Sequence, residues 1–209
     1  KNSLILIVLL NIVFVSCNLG NSEKTEPDPD LPKIKVDSVY NWFVHMQSEN
    51  GLLLSSEGGR NVSLYDNALS ALVFTSYGDF EKAEKIFDFF ESRLESEMLV
   101  SAGGFGQMRR INGIPVDNRP RRWMGDNAWL LIALNNYHDK TGTNKYHKLA
   151  GALADWIISL QDGDGGIWGG FQANGDRISK IAEGNIDAFN AISGYTSFHK
   201  KLLNYLQEV

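Results

Sequence analysis

The sequence holds a single cysteine, Cys17, in 209 residues. One thiol excludes an internal disulfide framework and removes zinc sites built on thiolates. Proline is scarce at five, and three of these (Pro27, Pro29 and Pro32) fall in one short segment, so little elsewhere interrupts helices. The longest apolar run, Leu4 to Val15, is interrupted by Asn11 and falls short of the roughly 20 residues that span a bilayer. Basic residues cluster only at Arg109-Arg110 and from Arg119 to Arg122, and the formal net charge is −5. No nucleic acid partner is expected, because phosphate binding needs a concentrated basic footprint. His45, His138, His147 and His199 are dispersed without paired ligand spacing. Neither a metal nor a cofactor is expected.

What is present is a repeat. Three words recur: Tyr65-Asp66-Asn67-Ala68-Leu69, Gly125-Asp126-Asn127-Ala128-Trp129 and Asn185-Ile186-Asp187-Ala188-Phe189, with alanines at 68, 128 and 188. Each heads an apolar run, as a helix start does, and regular recurrence of one unit marks a repeat architecture. Leu64 to Ser76 is apolar nearly all round and predicts a buried helix. After the break at Gly78-Asp79, Phe80 to Ser96 is amphipathic, with Ala83, Ile86, Phe87, Phe90 and Leu94 on one face. The pair is an αα-hairpin. The plan returns as a buried helix Met124 to Tyr137 followed by an amphipathic helix Tyr146 to Gln161, and again as Asn185 to Phe198 followed by Lys200 to Val209. Val36 to Gln47 carries one apolar stripe and predicts a first outer helix. Long Gly-rich loops join outer to inner helices, and short turns join inner to outer. A ring with this asymmetry gathers every long loop and every inner-helix N-terminus at one end. With 43% hydrophobic residues, one domain behind a leader is expected.

This plan, with the stretches WLLIALNNYHDKTGTNKYHKLAGALADWIISLQDGDGGIWGGF and AEGNIDAFNAI, resembles the α/α toroid and within it the six-hairpin glycosidase-like group. The resemblance implies an all-α fold and an incomplete toroid over residues 34–209, about three helical hairpins of a six-hairpin barrel. Truncation at Val209, assembly of half-toroids and an open arc each account for the missing hairpins; truncation is the expectation. Glu183-Gly184-Asn185-Ile186-Asp187 resembles a Glu-x-Asn-x-Asp word that recurs in this group. Gln161 to Trp168 also resembles the Gln/Trp turn of terpene cyclases, which share the toroid, but no Asp-Asp-rich diphosphate motif accompanies it. Asp162-Gly163-Asp164-Gly165-Gly166 departs from an EF-hand loop at Gly166, Ile167 and Ala173, where a ligand, a glycine and a ligand are required.

The start of the chain, a charged Lys1 before a short apolar run that ends in Ser16-Cys17, resembles a bacterial lipoprotein signal. It implies a signal peptide over 1–16, lipidation at Cys17, a polar tether over 17–33, and export to the cell envelope with the membrane reached through the lipid anchor only. The tether is too polar to offset its own ordering entropy.

Chemistry is expected where the inner helices begin. Helices pack at about 8–10 Å, close to the roughly 6.5–9.5 Å that lets an inverting glycosidase place water between two carboxyls. Asp66, Asp126, Glu183 and Asp187 are therefore the candidate catalytic groups, with Glu183 or Asp187 as acid and Asp126 as base. Asp is equally a favoured helix cap, and every repeat needs one. Candidate contacts to a carbohydrate are Tyr65, Asn67, Arg121, Arg122, Trp123, Asn127, Trp168, Phe171 and Asn185. Trp168 lies among glycines with no helical stripe to join, whereas Trp129 is expected in the core. Arg121 and Arg122 suit an acidic sugar, a hydroxyl or the neighbouring acids. The leading expectation is glycoside hydrolysis through paired carboxylates. A glycan-binding or scaffold lipoprotein and a polysaccharide lyase using Tyr65 and Arg121 are the alternatives, because fold alone does not choose among them.

Overall fold

A computed structural model describes residues 36–100 and 102–208. The expected signal peptide, the tether and Cys17 lie outside the described residues. The described residues fall into two units divided after Val44. Helix α1 (Val36–Met46) reaches the boundary between them, and within the first unit Trp42 meets Phe43 edge to face with centroids 5.3 Å apart.

The second unit is three helical hairpins. Helix α2 (Leu64–Tyr77) pairs with α3 (Phe80–Glu91), α4 (Met124–Thr141) with α5 (His147–Ser159), and α6 (Ala182–Ala191) with α7 (Ser197–Glu208). The central helix α4 packs against both α2 and α6. Helix α2 has no polar face, and its residues from Asn67 to Thr75 are all buried. Ser63 caps it by accepting from the Asp66 backbone N–H, and Gly78 ends it in the left-handed region at φ 76°. Gly142 ends α4 in the same way at φ 69°. Only glycine enters this region without steric cost, which is why α2 and α4 can turn so tightly into their outer partners.

Two helices depart in an informative way from those the periodicity predicts. The first outer helix stops at Glu91 rather than Ser96, and the chain resumes as a π-helical turn, Leu94–Met98. That turn carries Glu97 onto Arg109, whose guanidinium is fully buried and held at 2.9 and 3.3 Å by the carboxylate and at 3.0 Å by the Gly113 carbonyl. A buried charge must be paired, so this pairing overrides the helical period. The third inner helix spans Ala182–Ala191 rather than Asn185 to Phe198, because the chain leaves helical geometry at Ile192 and turns through Gly194 at φ 80°.

The long loops carry structure that no helical period announces. Strand β1 (Asn61–Ser63) pairs antiparallel with β2 (Met108–Arg110), with Val62 opposite Arg109, and β3 (Arg122–Trp123) pairs with β4 (Gly170–Phe171). These ribbons stitch each loop to the next. Loop tips are fixed separately. Gln47 Nε2 donates to the Gly51 and Lys82 carbonyls, and Gln161 Nε2 donates to those of Gly165 and Phe198. Gly51 and Gly165 have positive φ, and a Cβ at either would fall 2.3 Å from the carbonyl oxygen of Lys85 or Lys201. A side chain at either site would push the loop off its outer helix.

The strongest anchor is an asparagine in each inner helix. Asn67 Oδ1 accepts from the Leu53 N–H at 2.9 Å, while its amide donates to the Leu53 and Ser63 carbonyls. Asn127 does the same to both backbone groups of Phe105 and to Trp123, and Asn185 to both groups of Ile167 and to Ile181. All three are fully buried. Replacing Asn127 by alanine strands the Phe105 N–H and carbonyl away from water. The variant should lose about 3 kcal/mol of stability, read as a lower urea midpoint, and the loop around Phe105 should exchange its amide protons faster.

Candidate functional site

The N-terminal ends of α2, α4 and α6 bound a pocket of about 210 Å³. Tyr65 comes from α2, with Ser63 just before it; Trp123, Gly125, Asp126 and Trp129 come from the start of α4; Glu183 and Asp187 come from α6; Gln107 comes from the loop before β2. Tyr65 and Trp129 meet edge to face with centroids 5.8 Å apart. Gly125 is small for a reason: a Cβ there would lie 3.1 Å from Asp187 Oδ2 and 3.2 Å from Trp123 Nε1. A larger groove of about 740 Å³ runs between the π-helical turn and α5, but its ionisable groups are all exposed surface side chains. The smaller pocket brings the buried Asp126, the half-buried Asp187 and the exposed Glu183 together.

The acids are not helix caps. Ser63, Trp123 and Ile181 hold the cap positions, so Asp66 and Asp126 are third in their helices, and the asparagine clamps follow directly at fourth. In α6 the matching third and fourth positions are Gly184 and Asn185. The third word is therefore displaced: its alanine keeps the sixty-residue interval, but Asp187 lies three positions further into α6 than Asp66 does in α2. At about 1.5 Å rise per residue that sets its Cα deeper by about 4.5 Å. Glu183 sits four residues earlier, on the same face of the helix.

This arrangement sets the protonation of the site. Burial pushes the Asp126 carboxyl up to about 7, and the charges of Asp66 and Asp187 add to the rise, against a hydrogen bond from the Gln107 side chain and the positive charge of Arg121. Asp126 is only 6% exposed, and its Oδ2 has no hydrogen-bond partner. Asp187 is likewise raised to about 7, first by burial and then by Glu183, against a hydrogen bond from Trp129. Burial also raises Asp66, opposed by Ser55. The Tyr65 hydroxyl is raised by burial first and then by all four carboxylates, which keeps it a donor.

Of the expected site residues, Tyr65, Trp123, Asp126, Glu183 and Asp187 come together in the pocket wall. Asp66 is outside that wall and reaches it only by its charge on Asp126 and Tyr65. Asn67, Asn127 and Asn185 are not available to a substrate, since burial and backbone hydrogen bonds consume their amides. Arg122 is turned to the Gly104 carbonyl at 3.2 Å, and Phe171 opposes it in the β3–β4 ribbon. Trp168 is no open platform: Lys180 and Arg177 stand 5.0 and 5.3 Å from its ring centroid. Lys180 in turn binds Asp162 at 2.7 Å and Asp164 at 2.6 Å, so an ammonium fills the acidic loop. Arg121 lies over the Trp123 ring at 4.3 Å. Trp129, expected in the core, forms pocket wall instead. Gln107 and Ser63 carry no signal in the sequence that would have placed them here, whereas Gly125 belongs to the second repeated word and arrives with the start of α4.

A carboxyl raised in the folded state binds its proton more tightly than in the unfolded chain. Its contribution to stability is complete below the ordinary value of 3.8 and is lost as pH rises through about 7. Asp126→Asn keeps the neutral shape and escapes that loss. The variant should gain about 1–3 kcal/mol over the parent at pH 8 and little at pH 4, measured by urea denaturation at the two pH values.

No protein-family model matches the chain, and no curated protein matches it. Among solved structures it is similar to a possible member of the GH105 family from Klebsiella pneumoniae, at 14% identity and a TM-score of 0.61 over 83% of this chain and 52% of that one. It is similar to a sugar epimerase from a ruminal bacterium, at 15% identity and a TM-score of 0.59 over 81% and 50% of the two chains. A possible GH105 member from Salmonella enterica serovar Paratyphi A gives 12% identity and a TM-score of 0.58 over 82% and 51%. The chain spans about half the length of these structures. Their common ground with it is the α/α toroid fold, which this chain forms incompletely.

Proposed function

We propose that this protein acts on carbohydrate as a glycoside hydrolase, with Asp187 as the general acid and Asp126 as the general base. The observation that carries the proposal is that two carboxyls from neighbouring inner helices line one aromatic-walled pocket and are both held near pH 7. Glycoside hydrolysis needs one carboxyl protonated and one ionised at the same pH. The roles are assigned on one difference between these like values: Asp126 has a cation, Arg121, among its neighbours beside the like charges of Asp66 and Asp187, whereas the charged neighbour of Asp187 is Glu183 alone. Tyr65, Trp123 and Trp129 supply ring faces and edges of the kind that pack against the C–H surface of a sugar. Solved structures of similar fold include a possible member of the GH105 family and a sugar epimerase, which agrees with a carbohydrate substrate. The start of the sequence supports a lipid-anchored enzyme at the bacterial cell envelope, with the lipid on Cys17.

Asp187→Asn and Asp126→Asn should each lower turnover by about 100-fold or more while leaving the fold intact, measured as reducing-end release from a glycan panel beside far-UV circular dichroism. Glycan binding that both variants retain, with no release by the parent, would instead make this a binding module. The pH profile should be a narrow bell centred near neutrality, its two limbs belonging to the pair jointly. Arg121→Gln removes a positive charge from beside Asp126, so the acidic limb should move to higher pH. A limb that stays put would show that Asp126 does not govern it. Cys17→Ser should abolish labelling of the protein by a radioactive fatty acid in the expressing cell.

A further inference from the structure

We propose that the sugar this pocket accepts carries a protonated amine, which makes the substrate class an amino-sugar glycan. The inference rests on the carbohydrate reading of the same site and adds the charge of the ligand. Three carboxyl side chains, Asp126, Glu183 and Asp187, line the pocket, and no Lys, Arg or His does so among the described residues. Asp126 Oδ2 is buried in that wall with no hydrogen bond, so an acceptor has been taken out of water without a donor to replace it. A neutral hydroxyl could donate to Oδ2 but would leave the surplus negative charge untouched.

The groups facing Asp126 are Asp66 from α2, Asp187 from α6, the Gln107 amide and Arg121, and those facing Asp187 are Glu183 and the Trp129 indole. One cation thus stands against four carboxyls. That cation already rests on an aromatic ring, with Arg121 4.3 Å from the Trp123 centroid, which is how indole faces attract positive charge. An ammonium in the pocket would meet carboxylates and the rings of Tyr65, Trp123 and Trp129 together. A uronate would meet like charge at the same places. Because both raised carboxyls are partly protonated near neutrality, an arriving ammonium also displaces protons, which a neutral sugar of the same shape does not.

The test is calorimetric titration of the protein at pH 5.5, where glucosamine amines already carry their protons, with four tetramers: β-1,4-linked glucosamine, its N-acetylated form, β-1,4-linked glucose and α-1,4-linked galacturonate. Each titration is run in two buffers of different ionisation enthalpy. The glucosamine tetramer should bind at least about tenfold tighter than the other three. It should release on the order of half to one proton and lose its advantage as salt rises or when Glu183→Gln removes one charge. Equal or tighter binding of a neutral or acidic tetramer overturns the amino-sugar inference. If that tetramer is also hydrolysed in a manner dependent on Asp187, the glycosidase reading stands without it. Failure of all four to bind or to be cleaved overturns both.

Discussion

The buried asparagine clamp is the interaction on which the rest of the second unit depends. Asn67, Asn127 and Asn185 each satisfy an N–H and a carbonyl of one loop residue and a carbonyl of their own helix start. Loops of this length would otherwise bring backbone polar groups into the core unpaired, at a cost that hydrophobic packing at the same spot does not recover. With the clamps in place, Leu53, Phe105 and Ile167 can be buried as core residues although they lie in loops. The β-ribbons and the Gln47 and Gln161 side chains then have fixed ends to join. The pocket wall inherits this rigidity, because Gln107 and Trp123 stand only a few residues from clamped positions.

Rigidity of that kind permits the strain at the site. Charging Asp126 or Asp187 opposes folding, since burial and like charges hold both carboxyls at about 7. Neighbouring groups relieve part of it: Gln107 and Arg121 at Asp126, and Trp129 at Asp187. Stability elsewhere must hold the acids together. The buried Arg109–Glu97 pair and the cluster in which Lys145 binds Glu84 at 2.8 Å and Asp88 at 3.0 Å tie one hairpin's periphery to its neighbours. Both pairings lie outside the pocket lining.

Helical period was enough to read the hairpins from the sequence, because α2 and α4 are apolar all round and α3 is amphipathic. The placement of the acids at one end also followed from loop lengths alone. Three things were not legible. The period said nothing of Glu97, whose ion pair with Arg109 converts a helix end to a π-helical turn. The words containing Asp and Asn look like one motif, whereas the asparagines are structural and Asp66 stays out of the pocket wall. A clamp and a ligand contact use the same side chain, and only burial separates them. Trp168 looked free because no helical stripe claimed it, yet a long-range cation from Lys180 covers it. Such tertiary pairings leave no local trace.

The displacement of the third word has a further consequence. A strictly periodic arc of hairpins would place the same acid at the same depth in every inner helix. Moving the acid of α6 almost one turn inward, and placing glycine where α4 has Asp126, removes that equivalence. The carboxyls of Asp126 and Asp187 therefore enter the pocket at different heights along their helices, so its two flanks are chemically distinct.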